Sequence, residues 1–329
     1  MLFDSLNRNI DYLRLSVTDR CNLRCSYCLP KSYSKFSSTS EIMSDDEIIS
    51  LVRSFSELGM SKLRITGGEP LVRHGLPSLI GKLRELGSIK DISLSTNGIF
   101  LKKFAPALSD AGLNRINISI DSLNFDKYKR ITSFGDITDV LEGIECALDN
   151  GFSPVKLNVV VSRGMNEDEI SDFAALTETY PVHVRFIELM PMGETGYFSF
   201  ERRVPLYEMM QLAHPLEPIP VEDWPVGSGP AMYFRRPNGI GTVGFISPLS
   251  SNFCSDCNRM RLSAKGVLIP CLASNQGTDL LSMLRAGADE NEIKDAIKLT
   301  VSCKPEKHLM METATKGNSY PQFMCQMGG

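Results

Sequence analysis

From about residue 12 to residue 190, short β-branched segments alternate with longer segments of helical periodicity, and this feature constrains the fold most strongly. Such repeated βα units predict a parallel sheet covered by helices. Six strands are predicted, at 12–17, 62–66, 91–95, 115–120, 154–161 and 182–187. Six units can form an open doubly wound sheet or a partial barrel, and in either fold ligands bind at the carboxyl ends of the strands.

The βα pattern ends near residue 191, where Pro- and Gly-rich sequence begins. Two further strands and one helix are predicted beyond this point, at 231–235, 241–246 and 289–302. Ser44 and Glu47 have the spacing of a capping box and predict a helix between the first two strands. We therefore expect two modules, formed by residues 1–195 and 196–329.

Charge and hydropathy exclude several classes of protein. A formal net charge of −4 and a pI near 5.7 argue against a surface built to bind nucleic acid. No stretch approaches the roughly 18 to 20 consecutive apolar residues of a membrane span, and the first residues lack the features of a signal peptide. We expect a cytoplasmic protein with no nucleic-acid or membrane partner, in which nine cysteines indicate metal binding rather than disulfides.

Three cysteines lie on a predicted loop shortly after the first strand, at Cys21, Cys25 and Cys28. Three thiolates at this spacing can hold three irons of a four-iron cluster, and they leave the fourth iron without a local protein ligand. The alternative is a structural zinc site, which usually takes four protein ligands. Because no His or further Cys lies within twenty residues of the loop, the sequence favours a cluster.

A second group of cysteines lies in the C-terminal module, at Cys254, Cys257 and Cys271. It again offers three thiolates, and the four histidines of the chain lie far from it in sequence. A second cluster with an open iron is one interpretation. A zinc site completed in the folded chain by Cys146, Cys303 or Cys325 is the other, and the sequence leaves both open.

Several motifs accompany the cysteines. The first group has the form CxxxCxxC, and Gly67-Gly68-Glu69-Pro70 closes the second strand; both resemble the radical S-adenosylmethionine superfamily. The stretches LRLSVTDRCNLRCSYCLP, LRITGGEPLVR, NISIDSL, VRFIELMPMG and FCSDCNRMRLSAKGVLIPCL closely resemble the GTP 3′,8-cyclase family. The similarity extends in order over nearly the whole chain.

This resemblance implies an α/β fold, an incomplete (β/α)6 TIM-like barrel whose open side is closed by a C-terminal α+β module. It implies two [4Fe-4S] clusters, with S-adenosylmethionine bound to the open iron of the first. Cleavage of S-adenosylmethionine would give a 5′-deoxyadenosyl radical that abstracts hydrogen from ribose C3′ of GTP, after which the ribose carbon attacks guanine C8. The expected partners are a second copy of the chain in a homodimer, an external one-electron reductant and a downstream cyclic pyranopterin monophosphate synthase.

The resemblance also implies roles for individual residues. Contacts with S-adenosylmethionine are implied for Tyr27, Gly68, Ser119 and Met190. Contacts with GTP are implied for Arg14, Arg64, Ser95, Lys156, Arg259, Met260 and Arg261. The family usually has Thr where this chain has Ser95. Since the sequence has no evident P-loop, point cations and guanidinium groups have to balance the charge of a triphosphate.

The chain ends in Gly328-Gly329, as the family does. Two glycines allow the backbone into a narrow space, where the terminal carboxylate could bind a cation. We expect the tail to reach into the active site and order Arg185 on the sixth strand, so that Arg185, Gly328 and Gly329 act together in catalysis. The alternative is a frayed terminus without a role.

Two other functions compete with this interpretation. One is a radical enzyme that modifies a peptide and carries an auxiliary cluster. Such enzymes usually have more cysteines in their C-terminal half and need no triphosphate site. The other is a non-enzymatic zinc or iron-sulfur protein, which leaves the Gly-Gly-Glu-Pro segment and the cations on the strands unexplained.

Overall fold

The six predicted strands are all present in the computed structural model, which describes residues 1–227 and 229–328. They are β1 (Tyr12–Ser16), β2 (Lys62–Thr66), β3 (Asp91–Thr96), β4 (Arg115–Ser119), β5 (Val155–Val161) and β6 (Val182–Glu188). The helices between them are α1 (Asp45–Glu57), α2 (Leu76–Glu85), α3 (Leu101–Asp110), α4 (Phe125–Thr132), α5 (Ile137–Asp149) and α6 (Ile170–Thr179). Observed and predicted strand ends differ by at most one residue, since β-branched runs are a strong local signal.

The C-terminal half contains shorter elements. Its strands are β7 (Glu217–Pro218), β8 (Met232–Arg235), β9 (Thr242–Ile246), β10 (Arg259–Leu262), β11 (Val267–Ile269) and β12 (Thr278–Asp279). Its helices are α7 (Leu206–Leu212), α8 (Leu280–Arg285), α9 (Glu290–Ser302), α10 (Met310–Thr315) and α11 (Met324–Met327). The predictions of β8, β9 and α9 are confirmed, whereas β10 was not predicted because it is short and alternates Arg with apolar residues. In the described part of the chain, no helix is long and apolar enough to cross a membrane.

All twelve strands form one sheet, in the order β12-β11-β10-β1-β2-β3-β4-β5-β6-β9-β8-β7. The strands β1 to β6 are parallel and follow sequence order. C-terminal strands extend both edges, with β10 parallel to β1 and β9 parallel to β6. The sheet is not closed, so the predicted α/β fold with an incomplete barrel is confirmed. The division into modules at residue 195 stays a prediction.

The two faces of the sheet differ in chemistry because side chains alternate along each strand. On β1, Leu13 and Leu15 point outward into the core that the helices cover, while Arg14 points into the barrel. On β2, Leu63 and Ile65 belong to the same outer core. The apolar half of each strand therefore stabilises the helix layer, and the polar half is left to build a site inside.

Helix α1 forms where the sequence predicts it. Ser44 Oγ accepts from the amide of Glu47 at 3.2 Å, and the Glu47 carboxylate accepts from the amide of Ser44 at 2.7 Å. This reciprocal pair satisfies backbone donors that the helix itself leaves unpaired. The helix then buries Ile48, Leu51 and Phe55 against the sheet, which anchors the end of the long loop that follows β1.

Candidate active site

A cavity of about 330 Å³ lies on the concave face of the sheet. Each of β1 to β6 contributes at least one lining residue, and β9 and β10 contribute others. All of these strands can share one cavity only if the sheet curves around it, so the fold is a partial barrel rather than a flat doubly wound sheet. The six predicted metal ligands all line the cavity: Cys21, Cys25, Cys28, Cys254, Cys257 and Cys271.

The first cysteine group lies on the loop between β1 and α1. The amide of Cys28 donates to the carbonyl of Cys25 at 2.8 Å, and the amide of Leu23 donates to Cys21 Sγ at 3.4 Å, so local turns orient the thiols. Burial raises the pKa of Cys21 to about 11 and that of Cys28 to about 12. Such thiols stay protonated near neutral pH unless a metal displaces the proton.

The Gly-Gly-Glu-Pro segment after β2 holds this cysteine loop in place. The amide of Gly68 donates to the carbonyl of Thr18, and the amide of Glu69 donates to the carbonyl of Arg20, each at 2.8 Å. A Cβ built on Gly68 would collide with the Arg20 carbonyl. The residue must therefore be glycine for the loop that precedes Cys21 to lie where it does.

A Gly68→Ala substitution should destabilise the chain by about 1 to 3 kcal/mol, because the added methyl group overpacks a backbone contact. The loop that carries Cys21 should shift as a result, and the first cysteine group should retain less iron. Chemical denaturation of the iron-free protein and iron analysis after anaerobic reconstitution measure the two effects. In the control Gly81→Ala, the new Cβ meets no atom within 4 Å, so unchanged or slightly higher stability is expected.

The second cysteine group is assembled by the hairpin of β10 and β11. Cys254 and Cys257 lie in a turn just before β10, where the amide of Cys257 donates to the carbonyl of Cys254 at 3.2 Å, and Cys271 follows β11. Burial acts to raise the pKa of the Cys257 thiol, but Arg259 and Lys304 together outweigh it and lower this pKa to about 7. The positive charges of Arg259 and Lys304 thus stabilise the thiolate form of Cys257.

The cysteines considered as completing a zinc site do not join the second group in the described structure. Cys146 and Cys303 do not line the cavity, and Cys325 lies beside the first group, where its backbone acts to lower the pKa of Cys28. Within residues 1–227 and 229–328, no three His, Cys, Asp or Glu side chains converge as the ligands of one metal ion would. Each group offers three thiols, as many as a cluster with one open iron takes from the protein, whereas a structural zinc site usually takes four protein ligands.

Four arginines on neighbouring strands face the cavity. The strand register places Arg14 directly beside Arg64 and beside Arg261, and Arg259 precedes Arg261 on the same face of β10. Like charges opposite each other on adjacent strands are destabilising. Burial, followed by the neighbouring guanidinium groups, lowers the pKa of Arg14 and Arg64 and lowers that of Arg261 to about 10.

The lining of the cavity is strongly cationic. Six cations line it: Arg14, Arg64, Arg185, Arg259, Arg261 and Lys304. Among the described lining residues there is no Asp or Glu. The Nε atom of Arg64 is buried and has no hydrogen-bond partner among the residues that the structure describes. Since buried charge is costly unless it is balanced, the cavity is suited to a polyanionic ligand.

Two of the predicted GTP ligands do not line the cavity. Lys156 Nζ donates to the carbonyl of Val226 at 2.7 Å and to that of Pro225 at 3.3 Å. Burial and then three neighbouring arginines lower the pKa of Lys156 to about 6. Met260 is buried in the outer core because residues alternate along β10, and it pairs with Leu13 of β1 in the sheet. The roles of both residues toward GTP stay predictions.

The residues predicted to contact S-adenosylmethionine all line the cavity: Tyr27, Gly68, Ser119 and Met190. Ser95, the predicted GTP ligand on β3, lines it as well. The Tyr27 hydroxyl donates to Asp121 Oδ2 at 2.7 Å, while Asp121 Oδ1 accepts from the amide of Val160 at 2.8 Å. Asp121 therefore fixes the orientation of the Tyr27 ring. Sequence reasoning missed Asp121, although it belongs to the NISIDSL stretch.

Further polar lining residues were also missed, among them Asn158, Lys304 and His308. Asn158 lies two residues after Lys156 on β5. As a polar residue in a mostly apolar strand, it was a weak sequence signal of a functional site. Lys304 comes just after α9, where a lysine is normally a solvated surface residue. His308 Nε2 is buried without a hydrogen-bond partner in the described structure, and nothing in its sequence surroundings sets it apart.

The described end of the tail lies against the cavity. Gly328 ends α11 with a left-handed φ of 76°, and a Cβ on it would lie 2.6 Å from Thr66 Oγ1, so glycine is required on both counts. Its carbonyl accepts hydrogen bonds from Arg14 Nε and Arg261 Nη1, each at 3.2 Å. Gly329, the other glycine of the predicted catalytic pair, lies outside the described residues.

The cations that hold the described tail differ from the predicted one. Arg185 Nε donates to Asn158 Oδ1 at 2.8 Å, and its Nη2 donates to Asn117 Oδ1 at 2.6 Å. These amides on adjacent strands fix Arg185 inside the barrel. Gly328 itself contacts two other arginines, Arg14 and Arg261, because β10 lies next to β1 and brings them together. A contact of Arg185 with Gly329 stays a prediction.

Comparison with known proteins gives consistent relatives. A family model described as the radical SAM superfamily matches residues 15–177, and one described as Molybdenum Cofactor Synthesis C matches residues 182–310. GTP 3′,8-cyclases of Pelotomaculum thermopropionicum and Moorella thermoacetica are 45% and 46% identical to the chain, with 99% of both sequences covered in each case. Streptococcus suis SuiB bound to S-adenosylmethionine has a similar fold, with a TM-score of 0.64 at 14% identity over 97% of this chain and 78% of SuiB.

Proposed function

The chain belongs to the GTP 3′,8-cyclase family of radical S-adenosylmethionine enzymes, and we propose that its cavity brings two iron-sulfur clusters, S-adenosylmethionine and GTP together. The enzyme converts GTP to (8S)-3′,8-cyclo-7,8-dihydroguanosine 5′-triphosphate, the first step of molybdenum cofactor biosynthesis. S-adenosylmethionine and a [4Fe-4S] cluster are its cofactors. The observation that carries the proposal is the meeting of two cysteine groups and six cations in one cavity.

In this proposal Cys21, Cys25 and Cys28 hold the cluster that binds S-adenosylmethionine. When bound, the two cofactors supply a carbon radical by reductive cleavage of the sulfonium. Tyr27, held by its hydrogen bond to Asp121, lies beside the adenine. Gly68, Ser119 and Met190 complete the contacts, since each lines the same cavity as the three cysteines.

The second cluster is held by Cys254, Cys257 and Cys271. Two observations support a cluster here rather than zinc: the group has three thiols in the cavity lining, and no other cysteine joins it among the described residues. The family binds guanine at this cluster. The second cysteine group lies in the same cavity as the first, an arrangement suited to a reaction between a bound nucleotide and the radical.

The triphosphate and guanine of GTP lie among the buried cations. Arg14, Arg64, Arg259 and Arg261 supply bidentate donors, a geometry suited to phosphate oxygens. The remaining contacts come from Lys156, the hydroxyl of Ser95 and the backbone of Met260. Their common task is to hold ribose C3′ toward the radical source and guanine C8 near C3′, because a carbon radical that is not held in position reacts elsewhere.

Arg261→Ala should weaken GTP binding by roughly 10- to 100-fold, since a hydrogen bond to a charged group contributes about 1.5 to 3 kcal/mol. The readout is the dissociation constant of GTP measured anaerobically, because Arg261 also holds the tail and turnover would report both effects. Both clusters should assemble, as no cysteine is changed. The matched control is Arg130→Ala, which removes an exposed arginine of α4. Normal GTP affinity in Arg261→Ala would show that the nucleotide site has been misplaced.

The proposal extends to partners and location. An external one-electron reductant is required, because neither S-adenosylmethionine nor GTP can donate the electron that begins each cycle. A homodimer, a cytoplasmic location and transfer of the product to cyclic pyranopterin monophosphate synthase follow from the family. Size-exclusion chromatography with light scattering tests the dimer.

One anaerobic assay tests the reaction itself. The reconstituted protein is mixed with S-adenosylmethionine, dithionite and GTP, and the products are separated by chromatography. We expect 5′-deoxyadenosine and the cyclised triphosphate in equal amounts. Cleavage of S-adenosylmethionine without consumption of GTP would favour the peptide-modifying alternative, and a lack of iron after reconstitution would favour a zinc protein.

A further inference from the structure

Lys304 is a buried cation beside the second cysteine group. It follows α9, is 4% exposed and lines the cavity. The ammonium Nζ donates to the carbonyl of Arg259 at 2.8 Å and to that of Pro270 at 2.7 Å. Arg259 comes two residues after Cys257, and Pro270 directly precedes Cys271. One side chain therefore ties together the two backbone segments that carry these cysteines.

The ammonium group also lies near the sulfur atoms of the second group. Burial lowers the pKa of Lys304, whereas Cys257 and Cys271 interact electrostatically with it and act to raise that pKa. Within the part of the chain that the structure describes, Lys304 forms no ion pair with a carboxylate. A buried ammonium with this surrounding needs a negatively charged partner, and the thiolates of the second group are the anions that it meets.

A second buried cation also contacts the segment that carries the second cysteine group. Arg8 donates to the carbonyls of Cys254 at 2.7 Å and Pro305 at 2.8 Å. Unlike Lys304, it is compensated, because its Nε donates to Asp4 Oδ2 at 2.6 Å. The second group is thus tied by cations to the N-terminal segment and to the segment after α9, and Lys304 supplies the uncompensated charge.

We propose that Lys304 is a positioning residue for the second cluster, which fixes Cys257 and Cys271 relative to each other and favours the reduced cluster through its positive charge. This inference rests on the proposed second cluster. A four-iron core with thiolate ligands is anionic, and one-electron reduction makes it more so. Charge and hydrogen bonds to the sulfur atoms set the potentials of such clusters, so the ammonium stabilises the reduced form more than the oxidised form.

The experiment uses the full chain with Cys21, Cys25 and Cys28 replaced by Ala, so that one cluster remains. Into this parent we introduce Lys304→Gln, which keeps donors for the carbonyls but removes the charge. Redox titration followed by electron paramagnetic resonance should show the reduced form disfavoured about tenfold, which is a midpoint about 59 mV more negative for one electron. Lys304→Arg, which keeps the charge, should remain close to the parent.

The matched control is Lys298→Gln on α9, where an exposed lysine pairs with Asp295, and its midpoint should equal that of the parent. If Lys304→Gln does not fold, Lys304→Met keeps the side-chain length without charge and should shift the midpoint in the same direction. An unchanged midpoint and iron content in the neutral variants would overturn the inference alone. An equal shift of the midpoint in Lys304→Arg and Lys304→Gln would overturn the role of charge. A parent without iron would overturn the second cluster and the inference together.

Discussion

Replacing Cys21, Cys25 and Cys28 together by Ala is expected to abolish cleavage of S-adenosylmethionine and to remove about half of the iron, because each cysteine group holds one cluster. The two groups share a cavity but lie on separate supports, one on the loop after β1 and the other on the β10–β11 hairpin. Loss of the first set of ligands should therefore leave the second set in place. Iron analysis and the yield of 5′-deoxyadenosine measure the two effects.

The matched control for this substitution changes cysteines outside the cavity. Cys146 is half-buried and Cys303 is exposed, and neither lines the cavity. The Cys146→Ala/Cys303→Ala protein should keep full iron and normal cleavage. One zinc per chain in the triple variant, with no remaining iron, would refute the proposed second cluster and restore the zinc interpretation.

Deleting Gly328 and Gly329 is expected to reduce conversion of GTP by roughly 10- to 100-fold or more, since two hydrogen bonds to charged arginines are lost. The described contacts of Gly328 go to Arg14 and Arg261, two of the proposed GTP ligands. Without the tail each of these side chains loses one hydrogen-bond partner, while Arg261 keeps its contact with the carbonyl of Met327 at 3.3 Å. Both clusters and most of the GTP affinity should remain, so the loss should appear mainly in turnover. A peptide of the last residues should restore part of it.

A point substitution separates the position of the tail from its length. Gly328→Ala puts a methyl group against Thr66 and strains a left-handed backbone, so turnover should fall although the chain keeps its length. Gly317→Ala is the control, because Gly317 has a similar φ of +72° but no atom within 4 Å of the added Cβ. Full activity in the deletion variant would support the alternative, in which the tail is a frayed terminus without a role.

The repeating architecture and the chemical groups could be predicted from the sequence alone. Each of β1 to β6 was predicted to within one residue, because β-branched runs and capping boxes such as that of Ser44 and Glu47 are local signals. The cysteine spacing is also a local signal, and it was sufficient to propose a cluster. Both groups of cysteines line one cavity. The predicted parallel sheet, with ligands at the carboxyl ends of its strands, was compatible with this arrangement but did not predict it.

Which of these groups meet depends on the packing of the whole chain. The pairing of β10 with β1 places Arg261 beside Arg14, and these two side chains, rather than Arg185, contact the described tail. The same packing buries Lys304 between the carbonyls of Arg259 and Pro270, although a lysine just after a helix is normally solvated. Contacts between residues far apart in the chain depend on strand order and register, which the packing of the whole core sets. Local periodicity in the sequence does not predict such contacts.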